Sequence, residues 1–190
     1  MNTLLVQNVR PATQNDVEQM AKIYNRSFPE HIMVQRGLLN NPDYLSKHIQ
    51  NPDEHWVVEG ENGIIRGVAA LAISPPVGLG EIERVCVDRQ QRGRGLAQHL
   101  CRFLVNEAVN FGLGFVEAFA RGDQPGMQRT FEKLGFKVYG VAPRFEVIHD
   151  GRVVREQFVH MGLELKPETI DTQNMLLIQE AAELYRLINK

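Results

Sequence analysis

The sequence is poor in the residues that staple small secreted folds and in those that grip nucleic acid. Its 190 residues include two cysteines, Cys86 and Cys101, each inside an apolar pattern. Both are expected to be buried free thiols in a reducing compartment, not a disulfide framework. The net charge of −2 argues against a general nucleic-acid binder, whose phosphate contacts need clustered Lys and Arg. No run is long and apolar enough to span a membrane, so no membrane partner is expected. Met1 to Arg10 shows no cationic start followed by an apolar stretch, so no secretory signal is read there and the cytoplasm is the expected location. The six His show no His-x-x-x-His spacing, so no metal site is expected. There is no Gly-x-Ser-x-Gly nucleophile elbow, internal repeat, low-complexity tract or long linker.

What is present suits one globular domain. Hydrophobic residues make up 43% of the chain and charged residues 23%, ordinary values for a folded core with a solvated surface. The length allows one sizeable domain plus an extension.

The chain is organised around the stretch Glu81 to Ala97. Ile82 to Val87 alternates apolar and polar, which predicts a strand. A turn follows at Asp88 to Gln91, then a long amphipathic helix predicted from about Gly93 to Phe111. The turn region carries Gly93 and Gly95, with Arg89, Arg92 and Arg94 around them. Glycine lets backbone approach a ligand because no Cβ intervenes. A helix N-terminus offers unpaired N–H groups and partial positive charge. Arginines add donors for the same anion. Strand, Gly/Arg turn and helix together form a phosphate cradle.

The type of cradle is narrowed by what it omits. A P-loop needs Lys-Ser/Thr after its last glycine, and none follows. A dinucleotide fingerprint needs a third small residue where Gln98 stands, although Glu117 meets its distant acid. The pattern Gln/Arg-x-x-Gly-x-Gly/Ala is met by Gln90, Gly93 and Gly95. It resembles the pyrophosphate loop of the GCN5-related N-acetyltransferase (GNAT) superfamily. The opening Arg10-Pro11-Ala12-Thr13-Gln14-Asn15-Asp16 between a strand and a helix is also similar to that family. So is Phe131-Glu132-Lys133-Leu134-Gly135-Phe136, where Gly135 caps a helix and Phe136 begins a strand. The resemblance covers roughly residues 8 to 164. Ala120-Arg121-Gly122 through Gly126-Met127 further resembles the β-lysine N6-acetyltransferase subgroup. Two positions depart from the family pattern. Phe131 stands where a tyrosine is common and is proposed to protonate the leaving thiolate. Gln124 stands where an asparagine is usual.

The elements expected around this stretch follow from pattern and punctuation. Strands are predicted at Leu4–Val9, His55–Val58, Ile64–Ile73, 81–87, Phe115–Ala120 and Phe136–Val141. A hairpin of Phe145–Ile148 with Val153–Leu163 is predicted around Asp150-Gly151. Helices are predicted over about 14–27, 44–49, 93–111 and 126–134. Pro167 breaks the last strand, and Asp171 or Thr172 is placed to cap a C-terminal helix sharing Met175, Ile178, Ala182, Tyr185 and Ile188 on one face. That face either packs on its own domain or makes a homodimer contact. The resemblance implies an α/β (α+β) GNAT fold: a central mixed, mostly antiparallel sheet of about seven strands flanked by helices. Residues 1–165 are the expected acetyltransferase domain and 166–190 a helical extension.

Function is likewise implied by the resemblance. It is transfer of an acetyl group from acetyl-CoA to a primary amine of a small molecule or amino acid, by direct attack in a ternary complex. A lysine-like amine has a pKa of about 10.4, so about one molecule in 10³ is neutral at pH 7. A base must take the proton. Glu81 and Glu83 share a strand face at period 2 and are the candidates, with Glu117 on the neighbouring strand behind them. The backbone of Val85, Cys86 and Val87 is expected to bind the pantetheine arm as a strand mimic. Gln90 and the amides of Arg92, Gly93, Arg94, Gly95, Leu96 and Ala97 are expected at the pyrophosphate. Gln124 and Phe131 complete the expected cofactor contacts. The competing readings are a catalytically silent acyl-CoA sensor, which Phe131 favours, and a protein N-acetyltransferase, which needs an open groove over residues 28–45.

Overall fold

The computed structural model describes residues 9–167 and 175–189. Its first strand, β1, is Val9–Pro11; the predicted residues Leu4 to Asn8 lie outside the described part. A 3₁₀ turn at Gln14–Asp16 leads into α1, Val17–Ser27. The turn is held by the Asp16 carboxylate. It accepts from the Thr13 amide and hydroxyl at 2.7 and 2.9 Å and from both terminal nitrogens of Arg10 at 2.7 Å. The segment after Pro29 folds into a single-turn α2, Ile32–Gln35, and then α3, Pro42–Ile49, with proline at its first turn where no intrahelical N–H is required.

The remaining elements build the sheet and its second cover. They are β2 Glu54–Glu61, β3 Ile64–Ser74, β4 Leu79–Val87, α4 Leu96–Asn110, β5 Phe115–Arg121, α5 Pro125–Lys133, β6 Lys137–His149, β7 Arg152–Glu164 and α6 Gln179–Ile188. The seven strands run in the order β1-β2-β3-β4-β5-β7-β6. All neighbours are antiparallel except β4 and β5. That pair is parallel because the crossover through α4 returns the chain in the same direction. The expected mixed, mostly antiparallel sheet with a C-terminal helix is the one observed.

Strand alternation sends side chains to two cores, one on each face. Val57, Ala69, Leu71 and Ile82 meet Leu100, Leu104 and Ala108 of α4 and Phe131 of α5. Trp56, Val58, Val68 and Ala70 meet Met20, Ile23 and Tyr24 of α1 and Leu45 of α3. Leu100 and Leu104 are fully buried, so truncating either to alanine costs about 2–5 kcal/mol. Ile82 and Cys86 are four residues apart yet serve opposite cores. The register explains this: Ala70 pairs Glu83 while Val68 pairs Cys86, so β4 carries one extra residue. The bulge centres on Arg84, whose φ is +56°. One added residue turns every later side chain to the other face.

Several boundaries differ from the sequence reading by a few residues, and two differences are instructive. The helix α4 begins at Leu96, not Gly93, because Gly93 and Gly95 sit at φ +79° and +85°, outside the right-handed helical region. The β6 strand runs unbroken through the stretch read as a gap at Ala142 to Arg144, with Pro143 paired to Gln157. It is the edge strand of the sheet, where a missing N–H costs no ladder bond. The α6 helix adjoins β6 with Ala181, Ala182 and Ile188 half-buried; its predicted caps Asp171 and Thr172 lie outside the described residues. Among the described residues no helix is long and apolar enough to cross a membrane.

Candidate active site

The turn between β4 and α4 is fastened to the end of α1. Asp88 accepts from the Gln90 amide at 3.1 Å and pairs with Arg26. The Ser27 carbonyl accepts from Arg89 Nε at 3.2 Å and from a terminal nitrogen of Arg92 at 3.3 Å. Arg92 also lies over the Phe28 ring, 5.1 Å from its centroid, and reaches the Val87 carbonyl at 3.4 Å. Arg89 and Arg92 therefore spend donors on positioning the turn. Past it, His99 is the first residue whose amide bonds back into the chain, to the Gly95 carbonyl at 3.0 Å. Among the described hydrogen bonds none uses the amides of residues 93–98 as donors. Those of Leu96, Ala97 and Gln98 belong to the first turn of α4, where unpaired N–H groups favour an anion.

These residues border a cavity of about 330 Å³. Arg92, Gly93, Gly95, Leu96 and Ala97 line one side; Arg129, Thr130 and Lys133 of α5 line the other. Val85 and Val87 lie along it. Gln90 and Arg94 are not among its lining residues, and the Cys86 side chain is buried in the core beneath α1. Sequence reasoning missed Arg129 and Lys133. Their spacing of four residues, which places both on one helix face, was the available signal.

The second cavity arises where β4 and β5 part. Their pairing ends at Ile82 with Ala118, just before the Arg84 bulge. Beyond that point β5 stays with β7, pairing as far as Arg121 with Phe158. A space of about 320 Å³ opens between the strands. Glu81, Glu83 and Arg84 line one side, Phe119 and Arg121 the opposite side, and His31 to Val34 of the α2 segment add to the lining. Phe145 and Phe158 of β6 and β7 form the far wall, their rings edge to face at 5.1 Å. Phe28, Val85, Gln124 and Met127 line both cavities, so the two meet there. Phe131 lines the second cavity beside that junction and packs on Phe136 at 5.0 Å.

Electrostatics divide the second cavity unevenly. Burial raises the pKa of Glu81, with Arg144 at 3.6 Å opposing and Glu117 adding to the rise. Burial also raises Glu83, against the pull of Arg84 at 3.2 Å. Both carboxylates are thereby made stronger bases than free ones. Arg84 is held by Glu54 at 2.5 Å and stacks on Trp56. Tyr24, fully buried and kept protonated, donates to the Arg84 carbonyl at 2.5 Å, fixing the bulge. Glu117 is the register partner of Glu81 and hydrogen-bonds His160 at 2.8 Å. His31 has its pKa lowered by burial and by Arg121. Its Nδ1 accepts from the Met33 amide at 3.2 Å, so the neutral ring carries its proton on Nε2 and acts as a donor there. Burial pushes the Cys86 and Cys101 thiols up to about 12, which removes both as thiolate nucleophiles at neutral pH. Among the described residues there is no cluster of three or more metal-ligating side chains.

Comparison with known proteins bears on this geometry. The model of the acetyltransferase (GNAT) family matches residues 17–136. The β-lysine N(6)-acetyltransferase of Methanosarcina mazei is 25% identical over 132 residues, 70% of this chain and 47% of that protein. A mycothiol acetyltransferase of Corynebacterium jeikeium is 31% identical over 74 residues, 39% of this chain and 20% of that one. This chain thus spans about half or less of those relatives. Among solved structures, yncA from Salmonella typhimurium, determined with its cofactor acetyl-CoA, superposes with a TM-score of 0.72 at 21% identity. That match covers 89% of this chain and 99% of the other. An N-acetyltransferase from Staphylococcus aureus Mu50 gives 0.71 at 23% identity, covering 83% and 98%. With a family model spanning the cradle, the parted strands and α5, the chain belongs to the GNAT family of acetyltransferases.

Proposed function

We propose that this protein transfers an acetyl group from acetyl-CoA to the primary amine of a small molecule, by direct attack while both are bound. The observation that carries this reading is the junction of two unlike cavities at Phe28, Val85, Gln124 and Met127. One offers free amides and cations to an anionic carrier; the other offers carboxylates to an ammonium.

The residues present fit the carrier. Amides of residues 93–98, with Arg129 and Lys133, hold its phosphates. The β4 edge at Val85 and Val87, released from β5, takes its amide-bearing arm as an added strand. When bound, acetyl-CoA supplies a thioester activated toward amine attack. The chain's own part is to bring the amine to the junction and relieve it of a proton. Glu83, nearer the junction along β4, and Glu81 behind it are the bases in this reading, directly or through water. A backbone N–H beside the bulge polarises the thioester carbonyl. A thiol is a stronger acid than an alcohol and leaves as a thiolate far more readily, so a buried Phe131 is compatible with turnover. Residues 1–165 form the catalytic domain and 166–190 an extension in this scheme.

Phe131 also supports a second reading, a silent acyl-CoA-binding module, since no phenol stands there to protonate a leaving group. Thiol release assayed with acetyl-CoA over an amine library separates the two. Amine-dependent release is expected here; saturable acetyl-CoA binding with no release for any amine contradicts transfer. A protein acceptor would have to enter past His31 to Val34 and Leu39, which line the second cavity.

A further inference from the structure

We infer that the acceptor is an amine with an apolar, preferably aromatic, body and no carboxylate beside it. The inference rests on the acetyl-transfer reading and concerns the same site. The second cavity is lined by the rings of Tyr24, Phe28, Phe119, Phe131, Phe145 and Phe158. Its volume of about 320 Å³ lies at the small end of the roughly 300–1,000 Å³ range of ligand pockets. An ammonium meets Glu81 and Glu83 at the strand floor, and the rest of the molecule meets rings.

Among the described residues, the arginines around the cavity are already engaged, so a substrate carboxylate finds no unpaired cation there. Arg84 is engaged by Glu54 and Glu83. Arg121, at the far side, is engaged by Glu156 at 2.6 Å and Asp123 at 2.9 Å, with only 11% of its side chain exposed. Arg144, beside Glu81, sits 3.3 Å over the Phe119 ring. A substrate carboxylate at Arg121 would be the third on one guanidinium, and elsewhere it would meet only neutral donors such as His31 Nε2 and Gln124, with no charge to balance it. Leaving a charge unpaired in such surroundings is costly. Specificity against amino acids therefore comes from this occupied arginine as much as from the apolar wall.

The test compares 2-phenylethylamine, phenylalanine and ethanolamine. Affinities are measured by calorimetry on the protein alone and with CoA bound, and rates by thiol release with acetyl-CoA. Phenylethylamine is expected to bind at least about tenfold more tightly than either other amine, a difference of about 1.4 kcal/mol. Phenylalanine methyl ester should bind like phenylethylamine. The Glu156→Gln variant, which frees part of Arg121, should narrow the gap to phenylalanine. A gap under tenfold, for either phenylalanine or ethanolamine, overturns the inference. Absence of acetyl-CoA binding or of thiol release would instead sink the transfer reading, and the amine affinities would still decide the acceptor class.

Discussion

The two cavities are nearly equal in size, about 330 and 320 Å³, and opposite in construction. The first carries a run of amides unused in the described hydrogen bonds, beside two left-handed glycines, with cations from the turn and from α5. The second is lined by residues of α1, α2, β4, β5, α5, β6 and β7. A polyphosphate carrier shared by many enzymes can be held by backbone, which every sequence supplies. An acceptor must be chosen, and choice requires side chains whose shape and charge differ from protein to protein. The contrast predicts that damage to one cavity leaves equilibrium binding in the other intact.

The largest effect should come from the floor of the acceptor cavity. Replacing both Glu81 and Glu83 by glutamine is expected to lower kcat by about 10²–10³, within the range for losing a general base, while acetyl-CoA affinity stays unchanged. The raised pKa of each carboxyl means that the parent enzyme loses rate as pH falls through the protonation of these groups. The double variant should lack that acid limb. Equal rates and the same acid limb in parent and variant would place the base elsewhere.

A smaller effect, and the mirror image, is expected at the cradle. Nothing lies within 4 Å of where a Cβ on Gly93 would sit, and its φ is +79°. Gly93→Glu therefore fills no packed space but adds backbone strain and a negative charge among the amides. Acetyl-CoA affinity should fall about 100-fold, or about 2.7 kcal/mol, and amine binding should persist. Gly93→Asn, better suited to the left-handed region, should lose less. Calorimetry with both ligands reads the comparison directly, and loss of amine binding in Gly93→Glu would break it.

The smallest effect should touch neither cavity. Asp16 holds the turn before α1 and is itself held by Arg10, which lowers its pKa through their hydrogen bonds. Asp16→Asn should destabilise the fold by about 1–2 kcal/mol at pH 7, since Arg10 is half-exposed and the pair is screened. A carboxyl with a depressed folded pKa stabilises above its unfolded value and loses that contribution as pH falls through the folded one. The gap between parent and variant in denaturant melts should close in acid. A gap that widens there would contradict the assignment.

How much was legible in the sequence follows the same division. The proposed cradle is one stretch, so its glycine motif could be read locally, although Gln90 does not line the cavity there; period 2 put Glu81 and Glu83 on one face, and both line the second cavity. The glycines that signalled the loop also delay α4 to Leu96, because positive φ is incompatible with the helix they precede. The acceptor cavity was mostly illegible. Phe119, Phe145, Phe158 and His31 meet only after β5, β7 and β6 pair and α2 folds over, and no local spacing encodes that pairing. The bulge at Arg84 was hidden because a positive φ at a non-glycine residue is set by its surroundings, here the Tyr24 hydroxyl and Glu54. The strands read as Phe136–Val141 and Phe145–Ile148 are one, since a proline at an edge strand does not end it.

The central claim is that free main-chain amides after the glycine turn grip the diphosphate of the acyl carrier. Amide-resolved NMR during titration with acetyl-CoA tests it most directly. The account predicts that the largest saturable shifts fall on the amides of residues 93–98, with slowed solvent exchange there once the carrier is bound. Saturable binding that leaves those amides unmoved and perturbs another surface would contradict it.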